Sequence, residues 1–167
     1  MMTLQSPAQW ANREFGFAQL GDKRRNRRLV KVAEQFAKSP GGTLPQAFGD
    51  WGELKAAYRL LAQRQVSHEA VLMPHIERTQ QTCRSSGEYL IIEDTTDLDY
   101  STHHAAEHLG CIGNGRGRGF ELHTALAVRV EGWDSDQQPL GTLVGLMDQT
   151  CLRPRRAPKG ESRAERL

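Results

Sequence analysis

GEYLIIEDTTDLDY, residues 87–100, is where the chain changes character. A short apolar run, Tyr89 to Ile92, gives way to acids and threonines. That pattern fits a buried strand whose end carries polar groups. Downstream, GFELHTALAVRVEG alternates well enough for a second strand, Leu122 to Val130, and LGTLVGLMDQT reads as a third, Thr142 to Met147. The Gly-rich segment GCIGNGRGRG, residues 110–119, joins the first two as a loop. Three strands in a meander make a poor core, because such sheets are normally completed by parallel strands and crossover helices. The chain is therefore expected to stop mid-domain, and the exposed sheet edges predict poor solubility.

Upstream of Gly87 the period is helical. Ser6-Pro7 can open a helix, Ser as cap and Pro at the first helical position, with Trp10, Phe15 and Phe17 as its apolar side. Gly21-Asp22 breaks and restarts the chain. KRRNRRLVKVAEQFAK, residues 23–38, then puts Leu29, Val32, Ala33 and Phe36 at helical spacing, and Ser39-Pro40-Gly41-Gly42 ends it. Residues 50–62 read as a further helix with Leu54, Ala57, Tyr58 and Leu61 inward. Ser67 can cap another running to about Arg84, which Pro74 either kinks or truly begins. The expectation is an α+β chain in three parts: a helical segment over 1–85, strands over 86–152, and a basic, Pro-containing, disordered tail over 153–167.

At 167 residues, 38% hydrophobic and 25% charged, the composition is that of a soluble globular protein. No apolar run is long enough for a membrane span, and MMTLQSPAQWANREF lacks the apolar stretch of a signal peptide, so a cytoplasmic location is expected. Cys83, Cys111 and Cys151 form no CxxC pair and are odd in number, which fits three reduced thiols. The net charge of +2 conceals a strong asymmetry: residues 1–38 hold 8 Lys/Arg against 3 Asp/Glu, and residues 86–150 hold 3 against 11. A basic head beside an acidic middle suggests a polyanion-binding region joined to a region that holds cations.

Four groups of residues could carry chemistry. Lys23, Arg24, Arg25, Arg27, Arg28 and Lys31 put six cations within nine residues of one helix. A phosphate backbone rewards such a stripe through counterion release, and arginines can read guanine edges. The alternative, a solvated face, is disfavoured because cations in the first turns oppose the helix dipole. Glu93, Asp94, Asp97 and Asp99 follow a buried strand, where carboxylates can hold magnesium or manganese; alternation puts Asp94 on the face opposite Glu93. A polar strand end is the plain alternative. His104 and His108 have i, i+4 spacing, but no HExxH or zinc-ligand partner accompanies them. The glycines around Arg116 and Arg118 precede a strand and lack GxxxxGK[ST], so a flexible connection whose two arginines can touch DNA fits better than a phosphate-binding loop.

Taken in order, these pieces resemble the Tn-five-like bacterial transposases of the insertion-sequence-four group. The resemblance is carried by Trp10-Ala11, Leu20-Gly21-Asp22, Arg24-Arg25, Arg28-Leu29-Val30 and Ala57-Tyr58-Arg59. It continues through Ile92-Glu93-Asp94-Thr95-Thr96, Leu98, Tyr100, Glu107, Leu109-Gly110, Arg118-Gly119, His123, Val144-Gly145-Leu146 and Arg153-Pro154. It implies a helical domain that binds the terminal inverted repeats of a mobile element, with Arg24, Arg25 and Arg28 as DNA contacts. It further implies a ribonuclease-H-like catalytic domain with an Asp, Asp, Glu triad, of which Asp94 would be the first member. Two divalent metals, Mg²⁺ or Mn²⁺, would there activate water and then a 3′-hydroxyl for attack on phosphodiesters.

The second Asp and the Glu of that pattern match no residue here; Asp97, Asp99 and Asp148 do not stand at the family positions. The expectation is a truncated transposase that binds double-stranded DNA, holds metal weakly at most, and is inactive alone. It would be a monomer or weak homodimer, or would pair with the full-length enzyme. A non-catalytic inhibitor of transposition is the alternative from another class, and a small metal hydrolase using Asp94, Asp97 and the histidines is a third.

Overall fold

The computed structural model describes residues 5–103, 108–113 and 115–155. Met1–Arg78 and Thr79–Leu167 form two compact units, the division falling within a helix. The chain is helical first and then an antiparallel sheet, the α+β order expected from the change at Gly87.

In the first unit, α1 spans Pro7–Phe15. Ser6 opens it with a capping box: the Gln9 amide donates to Ser6 Oγ at 3.2 Å and the Ser6 amide to Gln9 Oε1 at 3.0 Å. Phe17 lies beyond the helix end and is 77% exposed, so it is not part of the apolar side that Trp10 and Phe15 supply. The turn into α2, Lys23–Lys38, passes through Gly21 at φ 74°, a left-handed conformation that costs glycine little. Asp22 then caps α2, accepting the Arg24 amide at 2.7 Å.

A short helix, α3 over Leu44–Ala47, follows the Ser39–Gly42 break. Helix α4, Trp51–Leu61, is capped by Asp50, and α5, His68–Cys83, by Ser67, whose Oγ accepts the Ala70 amide at 3.1 Å. Pro74 sits inside α5 and does not begin it. Ala18, Leu20, Leu29, Val32, Phe48, Leu54, Ala57 and Leu60 form the core of this unit. Tyr58 and Leu61 are half exposed, a correction to the inward set expected for α4; the buried residue of that turn is Leu60. The i, i+3, i+6 row of Leu54, Ala57 and Leu60 faces the core, and nothing local distinguishes it from the row through Tyr58 and Leu61.

The second unit contains a four-stranded sheet with β1 over Tyr89–Asp99, β2 over Gly110–Ile112, β3 over Gly117–Trp133 and β4 over Pro139–Leu152. β3 is central: β1 pairs along one side, while β2 and β4 share the other, end to end. β1 runs seven residues past Ile92, because each residue of EDTTDLD finds a partner on β3, from Glu93↔Ala125 to Asp99↔Gly119. Asp94 is therefore mid-strand, not at a strand end. The Gly-rich segment is also not a plain loop, since β2 and the start of β3 are built from it. Gly119 packs so closely on β1 that a Cβ there would stand 1.9 Å from the Leu98 carbonyl oxygen. β4 bulges against β3 at three places, Ala125/Leu126, Ala127/Val128 and Val130/Gly132. Ile112, Ala125 and Ala127 are the buried hydrophobics of the sheet, whereas Ile91, Ile92, Leu140 and Leu143 are exposed. Arg153–Arg155 follow β4, and the Pro154 carbonyl accepts the Cys111 amide at 3.2 Å. The rest of the expected tail, 156–167, lies outside the described residues, as do His104 and Glu107.

Candidate nucleic-acid interface

The six cations of α2 do not form one surface. Leu29, Val32 and Ala33 turn inward, which sends Lys23 and Arg27, spaced four apart, to the opposite side. Lys23 and Arg27 are exposed and, among the described residues, make no hydrogen bond or ion pair. Arg24 is 87% exposed and reaches back to its own cap, with its Nη2 3.3 Å from Asp22 Oδ2. Such a surface pair contributes little and is readily exchanged for a phosphate.

The other three are engaged within the fold. Arg25 donates from Nη1 to the Leu20 carbonyl at 2.9 Å, across the left-handed Gly21. Leu20-Gly21-Asp22 and Arg25 are thus one structural device: a buried leucine, a turn, a cap and a guanidinium that closes the turn. Arg28 forms an ion pair with Glu53 of α4, and Lys31 Nζ lies 3.0 Å from the same carboxylate. The hydrogen bond from Lys31, with the nearby charge of Arg28, holds Glu53 below its ordinary value. Asp22 is likewise held low, first by the Arg24 amide.

A carboxylate from α1 organises the remaining cations of this unit. Glu14 is 2% exposed and meets Arg13 at 2.8 Å, His75 Nδ1 at 2.5 Å and Arg78. Burial, and then Arg13, push His75 below its ordinary value. His75 Nδ1 also lies 3.3 Å from Arg78 Nη2. Sequence reading had not singled out Glu14; its apolar neighbours Ala11 and Phe15 on the same helix were the available signal.

Residues 7–66 match a family model described as transposase DNA-binding. The match takes in α1 to α4 and every cation of the α2 stripe. It supports an N-terminal transposase domain and a DNA-binding role for the helical unit. Within the matched segment, Lys23, Arg24 and Arg27 are exposed, while Arg25, Arg28 and Lys31 bond to the Leu20 carbonyl and to Glu53.

The strands lie outside that match. Asp94 is exposed on β1 and stands opposite Thr124, which accepts Gln149 Nε2 at 3.0 Å. Thr96 Oγ lies 3.4 Å from Asp94 Oδ2. Glu93 falls on the other face, as alternation requires, opposite Ala125, whose β4 partner is Asp148. His123 shares the Glu93 face, with Thr95 Oγ1 2.9 Å from its Nδ1. Among the described residues no group of three His, Cys, Asp or Glu side chains is placed to hold a metal ion. Arg118 is exposed opposite Cys111 at the start of β3, and Arg116 is exposed in the preceding turn. Cys83, Cys111 and Cys151 are free thiols. No helix of the described residues is long and apolar enough to cross a membrane.

Proposed function

We propose that the helical unit reads the terminal inverted repeats of a mobile DNA element, as the DNA-binding domain of a Tn-five-like transposase of the insertion-sequence-four group. Lys23, Arg24 and Arg27 contact the DNA in this reading, and Arg25, Arg28 and Lys31 position the helix. The observation that carries it is the exposed cationic row of α2 within the segment that resembles transposase DNA-binding domains. An unneutralised row of cations at a helix N-terminus is unfavourable in water and is relieved by phosphate. Arg116 and Arg118, exposed in the second unit, are proposed separately as DNA contacts.

Asp94 is proposed as the first carboxylate of a ribonuclease-H-like Asp, Asp, Glu site, supported by its place on a central part of β1 and by the EDTT motif. The neighbours it has on its own face, Thr96, Thr124 and Gln149, are neutral, so these residues alone do not fit a pair of divalent metals. No catalytic step is assigned to them.

The test is binding of the purified chain to a duplex taken from the ends flanking its own gene, against a scrambled duplex, across a salt series. Preferential, steeply salt-dependent binding that is lost in Lys23→Ala/Arg24→Ala/Arg27→Ala is the expected result. No binding at low salt by folded protein would remove the reading.

A further inference from the structure

Phe17 is an apolar side chain held in water by its neighbours. The residues that follow it are fixed: Ala18 and Leu20 are fully buried. Gln19 Nε2 donates to the Phe17 carbonyl at 3.3 Å, and Asn26 Nδ2 of α2 donates to the Ala18 carbonyl. The ring projects from a pinned turn, so its 77% exposure is built into the fold. Beside it lies an open groove of about 550 Å³ lined by Asn12, Phe17, Gln19, Lys23, Arg27 and Val30. That size lies within the roughly 300–1,000 Å³ of small-ligand clefts. The groove holds Lys23 and Arg27, the two cations of α2 whose side chains make neither a hydrogen bond nor an ion pair among the described residues, and no acid lines it.

An aromatic face, two cations and amide side chains in one groove are the components of a nucleotide site. Cations take the phosphate, the ring takes the base, and amides can bond its edge. A peptide would find neither a matching acid nor a closed apolar pocket, whereas a strand of DNA satisfies all three. We infer that this groove is a nucleotide subsite in which Lys23 and Arg27 hold a backbone phosphate and Phe17 stacks on the adjoining, partly unstacked base. The inference rests on the DNA-end-binding reading and adds to it a contact beyond the backbone, one that favours a distorted or melted step in the bound DNA.

The experiment uses the whole chain and the duplex from the ends flanking its gene, with 2-aminopurine substituted at successive positions. Binding of wild type is expected to raise the fluorescence at one position, and Phe17→Ala to abolish that rise. Phe17→Ala should weaken binding about tenfold with an unchanged salt slope, and Phe17→Trp should restore it. Lys23→Ala/Arg27→Ala should flatten the salt slope by about two. If Phe17→Ala binds as wild type while the double variant still loses slope, the subsite is wrong and the DNA-binding reading stands. If folded wild type fails to bind at low salt, both fall.

Discussion

Arg28 of α2 and Glu53 of α4 form an ion pair across 25 residues of sequence, and Lys31 completes it from the next turn of α2. An arginine that resemblance alone would assign to DNA is thereby turned toward another helix. The pair decides which part of α2 remains available: the row through Lys23 and Arg27.

That division predicts different salt dependences. Lys23→Ala and Arg27→Ala should each lower the slope of log affinity against log salt by about one, with the melting temperature unchanged. Arg28→Ala should lower the melting temperature and leave the slope as it is. The comparison is made by fluorescence anisotropy and circular dichroism on the same preparations. Equal slope losses for all three would show that Arg28 leaves Glu53 for phosphate.

Glu14 is the shared acceptor of Arg13, His75 and Arg78 and is shut off from water. Removing it leaves Arg13 and the partly buried Arg78 without their shared carboxylate, so Glu14→Ala should cost about 3 kcal/mol in urea unfolding. Glu14→Gln keeps the volume and some hydrogen bonding and should cost less. A loss below about 1 kcal/mol for the alanine variant would mean that the network is replaceable by solvent.

Stability should fall in two steps on acidification. His75 is held below its ordinary value of 6.5, so the unfolded chain takes up that proton first. Stability linked to the neutral ring is present above 6.5 and is lost as pH falls from there toward the lowered folded value. Asp22, Glu53 and Asp99, the last held low first by the Ser101 hydroxyl, contribute stability above the ordinary carboxylate values of 3.8 and 4.5. That part is lost as pH falls through their lowered folded values. Thermal unfolding of His75→Phe should lack the upper step and keep the lower one; an unchanged upper step would assign it elsewhere.

Two glycines should resist substitution for different reasons. Gly21→Ala meets only an ordinary contact with Arg25 but must hold φ 74°, at about 1 kcal/mol. Gly119→Ala places a methyl on the Leu98 carbonyl, so β1 must separate from β3, at the upper end of roughly 1–3 kcal/mol. Amide exchange of Leu98 and Asp99 should accelerate in the second variant. Unaltered protection there would contradict the close packing of the two strands.

What the sequence determined by itself was everything governed by contacts a few residues apart. Ser6-Pro7, Asp22, Asp50 and Ser67 start their helices because a cap reaches only two or three residues ahead. The change from helical period to strand at Gly87 is equally local, as is the opposition of Glu93 and Asp94 on β1. Tertiary structure decided the rest. Whether Tyr58 or Leu60 is buried depends on which side of α4 meets the core. β1 extends through Asp99 because β3 supplies a partner for every residue of EDTTDLD, and those partners lie 20 or more residues away. Phe17 is exposed because the helix stops at Phe15 and its neighbours are pinned inward. The cations of α2 look equivalent in sequence, and only Glu53 and the Leu20 carbonyl separate those that hold the fold from those that face outward. Charge is a property of a residue, but its availability depends on where the opposite charge is folded.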